Sequence, residues 1–171
     1  MTPLIEVKDL GFKYPQSMVL DKIDFTVGQG EIFCLLGPNG SGKTTLLDCV
    51  LGWLKPSKGQ VLINGVPLMD MTAKQIARNM AYVPQVHEKT FPYQVKDIVL
   101  MGRASFLGPF STPSPEDEAI AEQSLNMVGI AHLQDRPYTQ LSGGECQLVM
   151  VARALAQNSP LIIMDEPTAH L

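Results

Sequence analysis

The pattern of apolar and polar positions divides the chain into short strands and longer helices. Apolar runs at "LIEV" (4–7), "IFCLL" (32–36), "VLIN" (61–64), "MAYV" (80–83) and "LIIM" (161–164) have strand length, and turn residues bound most of them. After the second run the period changes, with apolar side chains at 46, 47, 50, 51 and 54 following "SGKTT" at helical spacing. Strand, glycine loop and helix in that order are how a parallel α/β sheet begins. Residues 102–115, "GRASFLGPFSTPSP", interrupt the pattern and predict an exposed loop.

Ser114 is placed to cap the next helix, Pro115 suits its first position, and Asp117 completes a box of the S-x-x-D type. Ile120, Ser124, Met127 and Val128 keep one face of that helix, and Gly129 stops it. A second helix is predicted from about Gly143 to Gln157, burying Leu148, Val151, Ala152 and Leu155. The expected organisation is an α/β core from residues 1–85 and 158–171, β-rich at its N-terminal part, with a mainly helical insertion over 86–157.

Composition narrows the class. A chain of 171 residues that is 45% apolar can bury one substantial core. No apolar run approaches the roughly 20 residues that span a bilayer. The start, "MTPLIEVKDL", carries neither a basic leader nor an extended apolar stretch, so the expected location is cytoplasmic. Cys34, Cys49 and Cys146 show no metal-ligand spacing, and their odd number argues against a disulfide framework. The first two read as small core residues. Residues 86–135 hold 3 basic and 7 acidic side chains within a net charge of -4, which disfavours a nucleic-acid surface.

Three motifs carry chemistry. "GPNGSGKT", Gly37 to Thr44, fits the G-x-x-x-x-G-K-[ST] phosphate loop in full, after an apolar run and before an amphipathic one. Its glycines let backbone N–H groups curl around phosphate oxygens, and the helix N-terminus adds positive potential. Lys43 would reach the β and γ phosphates, and the Thr44 hydroxyl would ligate Mg²⁺. In "LIIMDE" two consecutive carboxylates leave a strand end in different directions. Asp165 would hold Mg²⁺ through water and Glu166 would orient or deprotonate an attacking water; taken alone, the pair also fits a solvated turn after a buried strand. "QLSGGECQ" (140–147) opens a helix with two glycines and is a ready anion site, although Ser142 with Glu145 also satisfies a capping box. One subunit has no obvious need of a second phosphate site, so this one should serve a neighbour.

The phosphate loop, "LSGGE" and "LIIMDEP", in that order, resemble the ATP-binding subunit of ABC transporters over essentially all 171 residues. The resemblance implies a P-loop NTPase core, ATP and Mg²⁺ as ligands, and a head-to-tail dimer with a second ATP-binding subunit. Each ATP would lie between one subunit's phosphate loop and the other's signature segment. By this resemblance Gly37, Asn39, Gly40, Ser41, Gly42, Lys43, Thr44 and Thr45 bind nucleotide, and Ser142, Gly143 and Gly144 contact the γ-phosphate across the interface. Gln85, in "YVPQ", matches the glutamine that senses Mg²⁺ and the attacking water, joining Thr44 and Asp165 around the ion. Tyr14, in "FKYP", matches the aromatic that stacks on adenine, for which its flat π-face is suited; packing on the sheet surface is the alternative. Implied partners are transmembrane permease subunits and a substrate-binding protein, at the cytoplasmic face of the membrane, with no nucleic acid.

Residues 99–120, "VLMGRASFLGPFSTPSPEDEAI", are similar to the helical region of ATPases that energise uptake of ferric siderophores, haem and cobalamin. Phe106, Leu107 and Phe110 would then face the membrane subunit, or the loop folds back on its own helices. The chain departs from the family in two places. Cys146 and Leu148 stand where members commonly carry basic residues, and family chains continue past "PTAHL" with an aspartate, a strand and a histidine that contacts the γ-phosphate. His170 lies inside the preceding loop pattern and is not that histidine. The expectation is a fold whose C-terminal part is missing, binding phosphate and hydrolysing poorly. A soluble ABC-type ATPase and a catalytically silent interaction fragment are the other readings.

Overall fold

β1 (Ile5–Tyr14) is the strand on which the first part of the chain is built, because Ile5, Val7, Leu10 and Phe12 are all buried along it. The computed structural model describes residues 3–85, 91–108 and 110–166, which fall into two units, residues 1–76 and 77–171. In the first unit β1 pairs antiparallel with β2 (Ser17–Val27) on one side and with β3 (Lys58–Ile63) on the other. β4 (Val66–Pro67) extends β3, giving the order β2-β1-β3-β4. The register sets Ile5 between Val27 and Ile63, and Val7 between Phe25 and Val61, which gathers apolar side chains on one face. Helix α1 (Lys43–Val50) buries Thr45, Leu46, Cys49 and Val50.

The predicted strand at 32–36 does not form. Residues 31–38 have no ladder partner among the described residues, Ile32 is 94% and Leu36 89% exposed, and Phe33 stacks on Phe25 with ring centroids 4.8 Å apart. An apolar run becomes a strand only where neighbours take up its N–H and C=O groups. For the same reason Cys34 is exposed rather than a core residue, whereas Cys49 and Cys146 are buried.

α2 (Ala73–Asn79) begins in the first unit and ends in the second, where it leads into β5 (Met80–Val83), which pairs in parallel with β6 (Leu161–Met164). Between these strands the chain forms α3 (Val95–Leu100), α4 (Pro115–Val128) and α5 (Gly143–Ala156). Their shared core includes Val83, Val95, Val99, Leu125, Tyr138, Val149 and Met150. The Gln157 side-chain nitrogen donates to the Ala77 carbonyl and, at 2.8 Å, to that of Met80, tying the end of α5 to the start of β5.

α4 begins and ends where its local signals place it. Ser114 Oγ accepts from the Asp117 N–H, Asp117 answers to the Ser114 N–H, Pro115 opens the helix, and Gly129 closes it with a left-handed φ of 81°. Its buried stripe runs through Asp117, Ala121, Ser124 and Leu125, with Met127 67% exposed on the other side of it rather than facing inward. Of the four α5 positions expected to be buried only Ala152 is; Leu148, Val151 and Leu155 are half-buried, and the buried face is led instead by Cys146, Val149, Met150, Ala152, Ala154 and Ala156, because α3, α4 and β5 all pack against it. The loop after α3 is not simply exposed. It starts as a 3₁₀ turn over Met101–Ser105 that buries Gly102 and Arg103.

Arg103 joins three elements: its Nε donates to Asp117 Oδ1 at 2.8 Å and its Nη1 to the Ala156 carbonyl at 3.0 Å, while its guanidinium lies 4.0 Å from the Phe106 ring centre. Arg78, whose Nε donates to the Ser105 carbonyl, has its guanidinium 5.1 Å from the same ring. Phe106 is therefore packed against two cations rather than left bare, whereas Phe110 is fully exposed. Among the described residues no helix is long and apolar enough to cross a membrane.

Candidate nucleotide-binding site

In the first unit the phosphate loop leads straight into α1. Gly42 caps the helix with φ 90° and, being glycine, makes no side-chain cap bond to the first-turn N–H groups of α1. A side chain would also be crowded there. A Cβ on Gly42 would stand 3.1 Å from Val19 Cγ1 and Leu20 Cδ2 of β2. Lys43 Nζ donates to the Gly37 carbonyl at 2.7 Å and to the Pro38 carbonyl at 2.9 Å, bending its charge back over the loop. Residues 37–41 and Thr44 are exposed, while Thr45 is buried. Tyr14 ends β1 opposite Ser17, 44% exposed, with the Phe12 ring edge-on to it at 5.0 Å.

In the second unit the acids stand where β6 runs out. The Asp165 N–H donates to the Val83 carbonyl at 3.0 Å, and Glu166 turns left-handed with φ 43°, an uncommon backbone for a side chain of this size. Gln85, two residues beyond β5, donates from Nε2 to Glu166 Oε2 at 2.6 Å. The structure thus brings together two predicted catalytic side chains that are 81 positions apart.

The third motif starts α5. Ser142 Oγ accepts from the Glu145 N–H at 3.3 Å, and Glu145 Oε2 accepts from the Ser142 N–H and hydroxyl, each at 2.7 Å. These bonds, that from the Ser142 backbone foremost, hold the Glu145 carboxyl below its ordinary pKa, with smaller help from Arg136, 3.7 Å away, and His132. Gly143 and Gly144 supply first-turn N–H groups that no residue one turn earlier can use. Cys146 is buried, its Sγ 4.0 Å from the Tyr138 carbonyl oxygen, so this non-basic position serves packing. His170 lies outside the described residues. Reading the sequence missed Arg103 and Arg78; the only local signal was Asp117, already noted as part of a cap.

A family model described as ABC transporter matches residues 20–169 of the chain. This chain belongs to the ABC transporter ATP-binding family. The motifs of the ABC domain are therefore those of an ATP-binding fold, and its relatives agree. An ABC transporter ATP-binding protein of Haemophilus influenzae is 45% identical over 98% of the chain and 64% of its own length. An iron chelatin transport ATP-binding protein of Helicobacter pylori is 41% identical over 98% of the chain and 66% of its own length. The hemin import ATP-binding protein HmuV of Nocardia farcinica is 41% identical over 96% and 57%.

Among solved structures, a metal-chelate type ABC transporter in an inward-facing conformation superposes with a TM-score of 0.85 at 37% identity, over 100% of this chain and 62% of that one. An ATP-binding cassette in its ADP conformation gives 0.86 at 26% identity, over 100% and 71%. The ABC domain described here thus spans less than two thirds of the length of the first two relatives.

Proposed function

We propose that the protein carrying this sequence is the ATP-hydrolysing subunit of an importer for an iron chelate, haem, cobalamin or a related metal compound. The observation that carries the ATPase reading is the meeting of Gln85 with Glu166 at the ends of two parallel strands, directly beside Asp165. In this reading Lys43 and the N–H groups of the loop from Gly37 to Thr45 take the phosphates, and Tyr14 stacks on adenine. Glu166 orients or deprotonates the attacking water. Thr44, Gln85 and Asp165 are oxygen donors of the type Mg²⁺ prefers, and a bound ion would neutralise phosphate charge. Ser142, Gly143 and Gly144 present hydroxyl and N–H groups to a γ-phosphate bound by a second copy in a head-to-tail dimer.

The named relatives that handle iron chelatin and hemin support the substrate class. The proposal extends to permease subunits and a substrate-binding protein as partners, to a position at the cytoplasmic membrane face, and to a helical subdomain over 86–157 set into a core of 1–85 and 158–171. The 171-residue chain alone is expected to hydrolyse ATP poorly. The test is to recover the native protein from gently solubilised membranes and identify its partners by mass spectrometry. A polytopic membrane protein in stoichiometric amount is the expected result. Recovery with soluble partners alone would remove the transport reading.

A further inference from the structure

The cap of α5 sets one anion where another is expected. A γ-phosphate that reached Ser142 would need the serine to donate, but Glu145 Oε2 already accepts from the Ser142 hydroxyl and the Ser142 N–H, each at 2.7 Å. A serine hydroxyl carries a single proton, so one aimed at Glu145 leaves only lone pairs to meet a phosphate oxygen. The same bonds keep the Glu145 carboxyl ionised, and its charge opposes an incoming phosphate. Its second oxygen, Oε1, lies 3.7 Å from Arg136 Nη1, an ion pair not closed to hydrogen-bond length. The Arg136 backbone is pinned. Its N–H donates to the Leu133 carbonyl at 2.9 Å and its carbonyl accepts from the Val95 N–H at 3.1 Å, while Gln134 and Tyr138 on either side bond to Lys96 and Tyr93. The Arg136 side chain is 48% exposed and has room to swing.

We propose that Glu145 stands in for phosphate at Ser142 and that Arg136 draws it away: as a γ-phosphate arrives, the Glu145 carboxylate closes onto the Arg136 guanidinium and the Ser142 hydroxyl turns its proton to the phosphate. This rests on the reading of Ser142 as a contact for nucleotide held by a second copy. A guanidinium can take a carboxylate through two parallel N–H bonds, so the pair that forms is stronger than the open one. Only hydrogen bonds are exchanged, and no covalent bond changes. The Ser142 N–H is freed with the hydroxyl and faces the same ligand. Arg136 touches no phosphate and is a positioning residue. It sets how readily Ser142 is released, and so how tightly two copies close on nucleotide.

The test follows two properties of the full chain with Mg²⁺ and a non-hydrolysable ATP analogue: nucleotide uptake, and nucleotide-driven dimerisation measured by sedimentation. Glu145→Gln keeps a cap acceptor for the Ser142 N–H but removes the charge, and should tighten the dimer about 10-fold. Arg136→Gln should loosen it by about the same factor, and Arg136→Lys should recover part of the loss. In a Glu145→Gln background Arg136→Gln should leave the dimer unchanged, because no carboxylate remains to be held. Uptake of nucleotide by the single chain should be alike in all variants, and urea midpoints show that each is folded. A loss from Arg136→Gln of the same size in both backgrounds is merely structural and overturns the proposal, as does an unchanged dimer in Glu145→Gln. Either result leaves the Ser142 contact across the dimer standing. A parent that takes up nucleotide and stays monomeric removes that contact and the proposal with it.

Discussion

Replacing Gly42 by Ala should damage the phosphate loop by an amount that can be split into two physical parts. Gly42 has φ 90°, and an L side chain held at such a backbone costs about 1–2 kcal/mol. Its Cβ would also press on β2, at 3.1 Å from Val19 Cγ1 and Leu20 Cδ2 and 3.3 Å from the Val19 carbonyl oxygen. Those contacts are a few tenths of an ångström too short, and overpacking of this kind adds about 1 kcal/mol or more. Gly40 supplies the control, because it has φ 78° and nothing within 4 Å of the position a Cβ would take. Gly40→Ala should therefore cost about 1–2 kcal/mol from the backbone alone, and Gly42→Ala about 2–3 kcal/mol. Urea unfolding of the two variants beside the parent measures the difference. Equal losses would show that β2 does not constrain the loop, and two neutral substitutions would refute the backbone geometry.

Two other perturbations follow from the second unit. The Arg103 guanidinium, then the Ser114 backbone and hydroxyl, hold the Asp117 carboxyl down to about 2 from an ordinary 3.8. A depressed folded-state value stabilises above the unfolded value and is lost as pH falls through the folded one, so acid should weaken the fold between about pH 4 and pH 2. Asp117→Asn should be less stable than the parent at neutral pH, with the gap closing across that window; a gap independent of pH would contradict the pairing. Ser142→Ala should cost about 1 kcal/mol through loss of the α5 cap, and Ser142→Gly only a few tenths. Urea midpoints that rank the two the other way would show that the capping box does not hold the helix start.

The parts legible in the sequence are those fixed by residues close together along the chain. Ser114, Pro115, Asp117 and Gly129 bound α4 through hydrogen bonds and a backbone turn spanning three or four positions, and the structure forms them. Ser142 and Glu145 do the same for α5. "IFCLL" misled because strand formation depends on what lies beside it, which an apolar run cannot specify. Cys34 was misplaced with it. Met127 was placed on one helix face with Ile120, Ser124 and Val128, but the buried stripe is centred on Ala121 and Leu125. Arg103 meeting Asp117 and Ala156, and Gln85 meeting Glu166, join distant positions, and no periodicity announces such pairs. The phosphate loop was readable because its glycines and lysine answer to a ligand, and the local backbone obeys that demand at Gly40 and Gly42.

The central claim is that Gly37 to Thr45 is a working nucleotide site, and equilibrium binding of Mg·ATP to the full chain and to Lys43→Ala tests it most directly. Lys43 Nζ must leave the Gly37 and Pro38 carbonyls for phosphate oxygens, and hydrogen bonds to charged groups contribute about 1.5–3 kcal/mol. The variant should therefore bind about 10- to 100-fold more weakly. Equal affinity in the two proteins, or no binding by the parent, would contradict the account.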